Sequence, residues 1–130
     1  AANTSLQSFH WIGLTDLFEH SICLLHFQAN GSLPSSCDCN AKNFLKLPRF
    51  THGLLRRDAS QLPEHLLEKI DASTAVDARL FAESLRLLLG RLRYVEKVTN
   101  KDLLKCIPWR RLWKSTRYIP NLWASETQLF

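Results

Sequence analysis

The residues best equipped for chemistry are an arginine pair, Arg56 and Arg57, inside the stretch LPRFTHGLLRRDASQL at positions 47–62. Between Lys42 and Arg57 there are five Lys or Arg residues and no Asp or Glu. A guanidinium presents forked donors that match two oxygens of a phosphate or sulfate at once. Gly53 allows the backbone to turn where a side chain would clash. The pattern predicts a loop that grips a small anionic group; the plainer alternative is a solvated basic loop, which is what most charge runs are. A second chemical stretch is WRRLWKSTRYIPNLW, where Trp109, Trp113, Tyr118 and Trp123 interleave with Arg110, Arg111, Lys114 and Arg117. Aromatics beside cations can stack on sugars or bases, or lie on a membrane surface. The alternative is a segment that docks its tryptophans on the domain and leaves its charges in water.

Four cysteines complete the reactive set: Cys23, Cys37, Cys39 and Cys106. Cys37-x-Cys39 is not a zinc signature by itself, because the other two cysteines are far away in sequence and no His-x-x-x-His follows. A bond between Cys37 and Cys39 would be strained, so partners farther off, such as Cys23 or Cys106, are expected. Two glycan acceptor sequons, Asn3-Thr4-Ser5 and Asn30-Gly31-Ser32, agree with an oxidising compartment.

The totals suit one domain or part of one. The chain has 130 residues, 45% of them hydrophobic, and a net charge of +5. The charge is uneven: residues 1–41 hold three acids and no Lys or Arg, whereas residues 101–130 hold six bases against two acids. Positive potential in two places implies anionic partners. The chain contains no Met, no signal-peptide pattern and no apolar run of membrane-spanning length. These features lead to the expectation of a fragment of a longer precursor, with its targeting segment elsewhere.

The supporting elements read as mostly α: one short strand followed by several helices. Residues 1–8 are polar and expected to be loose. Residues 9–14, FHWIGL, predict a short buried strand. Thr15 or Asp16 then caps a helix carrying Leu17, Phe18, Ser21, Ile22, Leu24 and Leu25, which stops at Asn30-Gly31. On it, His20 and His26 read as helix-surface or boundary histidines. Residues 30–43 form a loop. Pro63 starts a short helix ending near Ile70-Asp71. A second starts around Ser73 or Thr74 and runs to Val98, with Val76, Leu80, Phe81, Leu85, Leu88, Leu92 and Val95 forming the apolar stripe. Thr99-Asn100 ends it. Residues 101–106 add a helical turn, which Pro108 stops.

Three stretches resemble, in order, segments of Golgi carbohydrate sulfotransferases. Trp11-Ile12-Gly13-Leu14-Thr15-Asp16, followed by Ile22-Cys23-Leu24-Leu25, is similar to a family segment of glycine, threonine and an acid before an apolar helix. Thr51-His52-Gly53-Leu54-Leu55-Arg56-Arg57 resembles the Ser-His-x-Arg-Lys-type loop of the heparan sulfate 2-O-sulfotransferase branch, with one extra residue. Leu62-Pro63, Ile70-Asp71, Asp77, Leu80-Phe81 and Leu85 resemble the helix pair that follows. The resemblance spans residues 9–98 and leaves residues 99–130 as a basic aromatic tail.

The resemblance implies the C-terminal portion of a single α/β, P-loop-like sulfotransferase domain. It implies transfer of a sulfuryl group from 3′-phosphoadenosine 5′-phosphosulfate (PAPS) to a sugar hydroxyl, without a metal, in the Golgi lumen and anchored through a segment outside this chain. Thr51, His52, Arg56 and Arg57 would hold the donor's 3′-phosphate. Arg110, Arg111 and Trp113 would contact an anionic or neutral glycan acceptor, and no nucleic acid is expected. Asn3 and Asn30 would carry glycans. No GxxxxGK[ST] turn occurs, and none of the five histidines stands where the family's catalytic base belongs, so the catalytic residues are unassigned and the isolated chain is expected to be inactive. The competing expectation is a non-catalytic helical module that binds polyanions, nucleic acid or acidic glycan, through its basic regions.

Overall fold

The computed structural model describes residues 2–44 and 61–116. Four helices occur in it: α1 (Ala2–Gln7), α2 (Phe18–Asn30), α3 (Glu64–Thr99) and α4 (Trp109–Thr116). Short 3-10 turns at Thr15–Leu17 and Ser35–Cys37 accompany them. The described residues contain no strand, so the mostly-α expectation holds and the single strand does not. Residues 2–7, within the stretch expected to be loose, form α1, which packs against α3.

The expected strand at residues 9–14 is irregular chain, bent at His10, whose backbone groups find side chains instead of a neighbouring strand. Arg91 donates from Nη1 to the His10 carbonyl at 3.0 Å and from Nη2 to the Phe9 carbonyl at 2.7 Å. The Leu14 N–H donates to Ser21 Oγ at 2.9 Å, and that hydroxyl donates to the Leu17 carbonyl at 2.8 Å. Trp11 Nε1 donates to the Ser21 carbonyl at 2.9 Å. Backbone polar groups near a core must be paired, and here an arginine and a serine do what a sheet would otherwise do. The same latch replaces the expected Thr15 or Asp16 cap: α2 follows the 3-10 turn with no side-chain cap bond.

Helix α2 buries His20, Ser21, Cys23 and Leu24, and Leu17 of the preceding 3-10 turn continues the same face at three- and four-residue spacing. It stops where predicted. Gly31 takes φ +70°, which an L side chain rarely adopts, and its N–H bonds back to the Phe27 carbonyl at 2.7 Å.

The predicted helix pair is one helix. Helix α3 runs 36 residues, about 54 Å at 1.5 Å per residue. No Gly or Pro interrupts residues 64–89. The hydroxyls that could have capped a second helix turn inward on the first: Ser73 Oγ donates to the Lys69 carbonyl and Thr74 Oγ1 to the Ile70 carbonyl, at 2.7 and 2.9 Å. The two halves of α3 differ. Ala82, Leu85, Leu88, Leu89, Leu92 and Val95 are buried, whereas Leu66, Ile70, Val76 and Leu80 are exposed. The helix ends as expected at Asn100, which takes a left-handed conformation and returns its N–H to the Glu96 carbonyl at 2.8 Å.

The extra helical turn expected at residues 101–106 is a non-helical turn. Glu96 Oε1 accepts the N–H groups of Leu103 and Leu104 at 2.7 and 2.8 Å, and Leu103 is fully buried. A carboxylate thus folds the chain back after α3 and presses Leu103 into the core. Pro108 then opens α4, whose Leu112 N–H bonds to the Pro108 carbonyl at 3.0 Å. The core combines Leu17, Cys23 and Leu24 with the second half of α3 and with Leu103, Ile107 and Leu112.

The Trp11–Ser21 latch makes Gly13 a sensitive position. A Cβ there would lie 2.5 Å from the Trp11 ring and 3.2 Å from Ser21 Cβ. Gly13→Ala must push the ring off its bond, and the expected loss is about 1–3 kcal/mol, the usual range for overpacking. Urea unfolding of the variant beside the parent measures it; equal midpoints would show that the ring is not held.

Candidate functional site

The described residues bring chemistry together where α2, the loop after it and the turn after α3 meet. Cys23 and Cys37 form one disulfide, Cys39 and Cys106 the other, and no cysteine is free. The expectation that Cys37 and Cys39 each take a distant partner is met. Cys37 reaches back to α2, and Cys39 crosses 67 positions to Cys106. Other bonds lace the same two segments. The Cys39 N–H donates to the Asp102 carbonyl at 2.7 Å, Asn40 Nδ2 to Asp102 Oδ2 at 2.7 Å, and Lys105 Nζ to Asn40 Oδ1 at 3.0 Å. Lys101 Nζ donates to the Leu33 carbonyl at 2.9 Å.

His20 lies beside this seam and corrects the surface-or-boundary reading: it is 2% exposed. Its ring lies 5.1 Å from that of Phe44, and Nε2 is 3.7 Å from Cys106 Sγ. Its Nδ1 is buried without a hydrogen-bond partner. Burial pushes the imidazole below its usual value of 6.5, and the Leu103 carbonyl and the Glu19 charge offset only part of that. His26 is half-buried and shares Nδ1 with the Ser32 carbonyl at 3.0 Å. The sequence contained no sign of the His20 cluster, because its members stand at positions 20, 39 and 106 and only tertiary folding joins them.

The predicted anion-binding residues fall differently. Thr51, His52, Arg56 and Arg57 lie outside the described residues. Arg110 and Arg111 are exposed on α4, and Arg111 Nη2 reaches the Asp16 carbonyl at 3.4 Å. Trp113 is 53% exposed, three residues from Arg110 and so beside it on the helix surface. Trp109 is half-buried against the core, and Leu112 is buried. The helix therefore divides the two readings of the tail: one tryptophan docks, and the other stays out with an arginine. Asn30 is exposed at the end of α2, with Nδ2 donating to the His26 carbonyl at 3.1 Å, and Asn3 falls within α1. A cleft of about 340 Å³ between α1, α2 and α3 contains Arg91, but both ends of that guanidinium are taken by the Phe9 and His10 carbonyls.

The buried histidine gives a pH prediction with a definite sign. Its folded pKa is depressed, so the unfolded chain binds the proton more readily. The contribution is complete above pH 6.5 and is lost as pH falls from there toward the folded value. Between about pH 7 and 5 most carboxylates stay ionised. Stability should drop over that window in the parent and drop less in His20→Gln, measured by urea unfolding at each pH. Parallel slopes would mean that His20 takes a proton equally well folded and unfolded.

Comparison with protein-family profiles, with curated proteins and with solved structures finds no match.

Proposed function

We propose that this chain is the C-terminal part of a PAPS-dependent carbohydrate O-sulfotransferase, and that it contributes the loop that holds the donor's 3′-phosphate. The observation that carries the reading is the order of the three motifs along residues 9–98. The geometry of the first motif supports it: Trp11, Gly13, Leu14 and Ser21 form one interlocked unit at the start of an apolar helix. Two disulfides suit a lumenal enzyme of the Golgi. In this reading Thr51, His52, Arg56 and Arg57 ligate the phosphate, while the solvent-facing Arg110, Arg111 and Trp113 meet the glycan. The exposed apolar residues on the first half of α3, Leu66, Ile70 and Leu80, are the surface that the remainder of the domain would cover.

The test is binding of 3′,5′-ADP to the full-length parent protein. Charge-assisted hydrogen bonds are worth about 1.5–3 kcal/mol each, so Arg56→Ala with Arg57→Ala should weaken binding by at least about tenfold. Unchanged affinity removes the phosphate assignment.

A second reading rests on the core. Fourteen of the described residues, from the 3-10 turn before α2, α2 itself, the following loop, α3, the segment after it and α4, bury one another, closed by two cross-links. Such a unit could stand alone as a module that binds polyanions through α4 and the basic stretch before Asp58. Its signature is heparin or nucleic-acid affinity that falls steeply and linearly in log–log form with salt. A flat salt dependence eliminates this reading.

A further inference from the structure

The geometry points to a latent zinc site made by His20, Cys39 and Cys106, open to the ion only when the Cys39–Cys106 disulfide is reduced. Among the described residues these form the one group of three or more metal-binding side chains within reach of a common ion, with their ligand atoms all within 4.8 Å of one another. Cys₂His is an established donor set for Zn²⁺ with a fourth position open to water.

Three observations carry it. The first is spacing. At Zn–S of about 2.3 Å and Zn–N of about 2.0–2.1 Å, the N···S edge of a tetrahedron is about 3.6 Å. His20 Nε2 and Cys106 Sγ stand 3.7 Å apart, a hydrogen-bond contact to sulfur in the oxidised chain and close to that edge. Two thiolates on the same ion lie about 3.8 Å apart. Rotation about Cα–Cβ of either cysteine opens the sulfurs to that distance, and the Cα atoms at 5.4 Å need not move far.

The second is the state of the histidine. A neutral imidazole has one N–H and one lone pair. Nδ1 is unpartnered in either tautomer, while Nε2 faces the Cys106 sulfur and the Leu103 carbonyl lies within hydrogen-bond reach of the ring. The third is that the S–S bond is not the only tie between the two segments. Cys39 N–H to the Asp102 carbonyl, Asn40 to Asp102, Lys105 to Asn40 and Glu96 to the turn at Leu103 hold both segments in place. The Cys106 N–H already points at Cys39 Sγ from 3.1 Å, the kind of backbone donor that supports a metal-bound thiolate.

The chemistry balances in two steps. A dithiol reductant gives two electrons and two protons to the disulfide and becomes a disulfide itself, leaving two thiols. Zn²⁺ then displaces one proton from each thiol and takes the imidazole lone pair, releasing two protons overall. The ion and the cross-link are alternative ways of tying residue 39 to residue 106.

The experiment uses the whole chain, reduced with a trialkylphosphine, which becomes its oxide and, unlike a dithiol, is a poor zinc ligand. Zinc is titrated in against a chromophoric competitor, and Co²⁺ is used as an optical substitute. Expected is one ion per reduced chain and none per oxidised chain, with thiolate-to-cobalt charge transfer in the ultraviolet. Alkylation followed by mass spectrometry should then find Cys39 and Cys106 protected and Cys23 and Cys37 labelled. His20→Ala should weaken zinc binding at least about 100-fold, since even outer-shell partners of metal ligands are worth about 10–100-fold. Cys23→Ser with Cys37→Ser should leave the stoichiometry at one. Absence of uptake by the reduced chain, protection of Cys23 and Cys37, or affinity indifferent to His20 would each overturn the assignment. Because protection is read cysteine by cysteine on the parent chain, the result stands even if a variant fails to fold.

Discussion

The seam between residues 33–40 and residues 101–106 is the constraint on which the described structure depends. Helix α3 ends beside the loop that follows α2, and the chain must reverse there to bring Leu103, Ile107 and Leu112 onto the core. Asn100 breaks the helix, Glu96 captures the next two free N–H groups, and Cys39–Cys106 fixes the return covalently. In the chain-entropy account, a bridge across 67 positions stabilises by about 4 kcal/mol and one across 14 by about 3 kcal/mol. Each is comparable with a large part of the total stability of a domain this size. Without that return, Leu103, Ile107 and Leu112 would have no route to the leucines of α3.

Polar side chains do much of the positioning that a sheet does elsewhere. Arg91, on α3, holds the carbonyls of residues 9 and 10; Ser21, on α2, holds residues 14 and 17; Glu96 holds residues 103 and 104. In each case one side chain satisfies two backbone groups of an irregular segment. The irregular segments are thereby as well specified as the helices, and Ile12 and Leu103 can be buried from within them.

Much of the helical framework was legible in the sequence, because its signals are local. Asn30-Gly31 and Thr99-Asn100 read as stops, and both residues that follow the helices take left-handed backbone. The leucine stripe from Leu85 to Val95 read as core and is core. Exclusion of a bond between Cys37 and Cys39 was legible; which of the two takes Cys23 and which takes Cys106 was not, because both choices join residues far apart in sequence. The failures share a different cause. An apolar run of six residues satisfies a strand pattern, and only the presence of Arg91, 81 positions away from His10, shows that side chains replace the sheet. Ser73 and Thr74 look like caps until their hydroxyls are seen bonding within the helix. His20 gave no periodic sign of its surroundings, since Cys106 approaches from 86 positions away. The arginine pair at 56 and 57 was the strongest chemical signal in the sequence, and it lies outside the residues described.

Helix α3 has a mechanical consequence. Its second half is clamped in the core, its first half is solvent-facing, and no glycine or proline lies between Glu64 and Leu89 to act as a joint. It is a cantilever. A tilt of a few degrees at the clamped leucines sweeps Leu66 and Ile70 through several times the displacement, and a load applied at the free end arrives as torque on Leu88 and Leu92. Whatever seats against that outer stripe is thereby in mechanical register with the buried seam at Glu96.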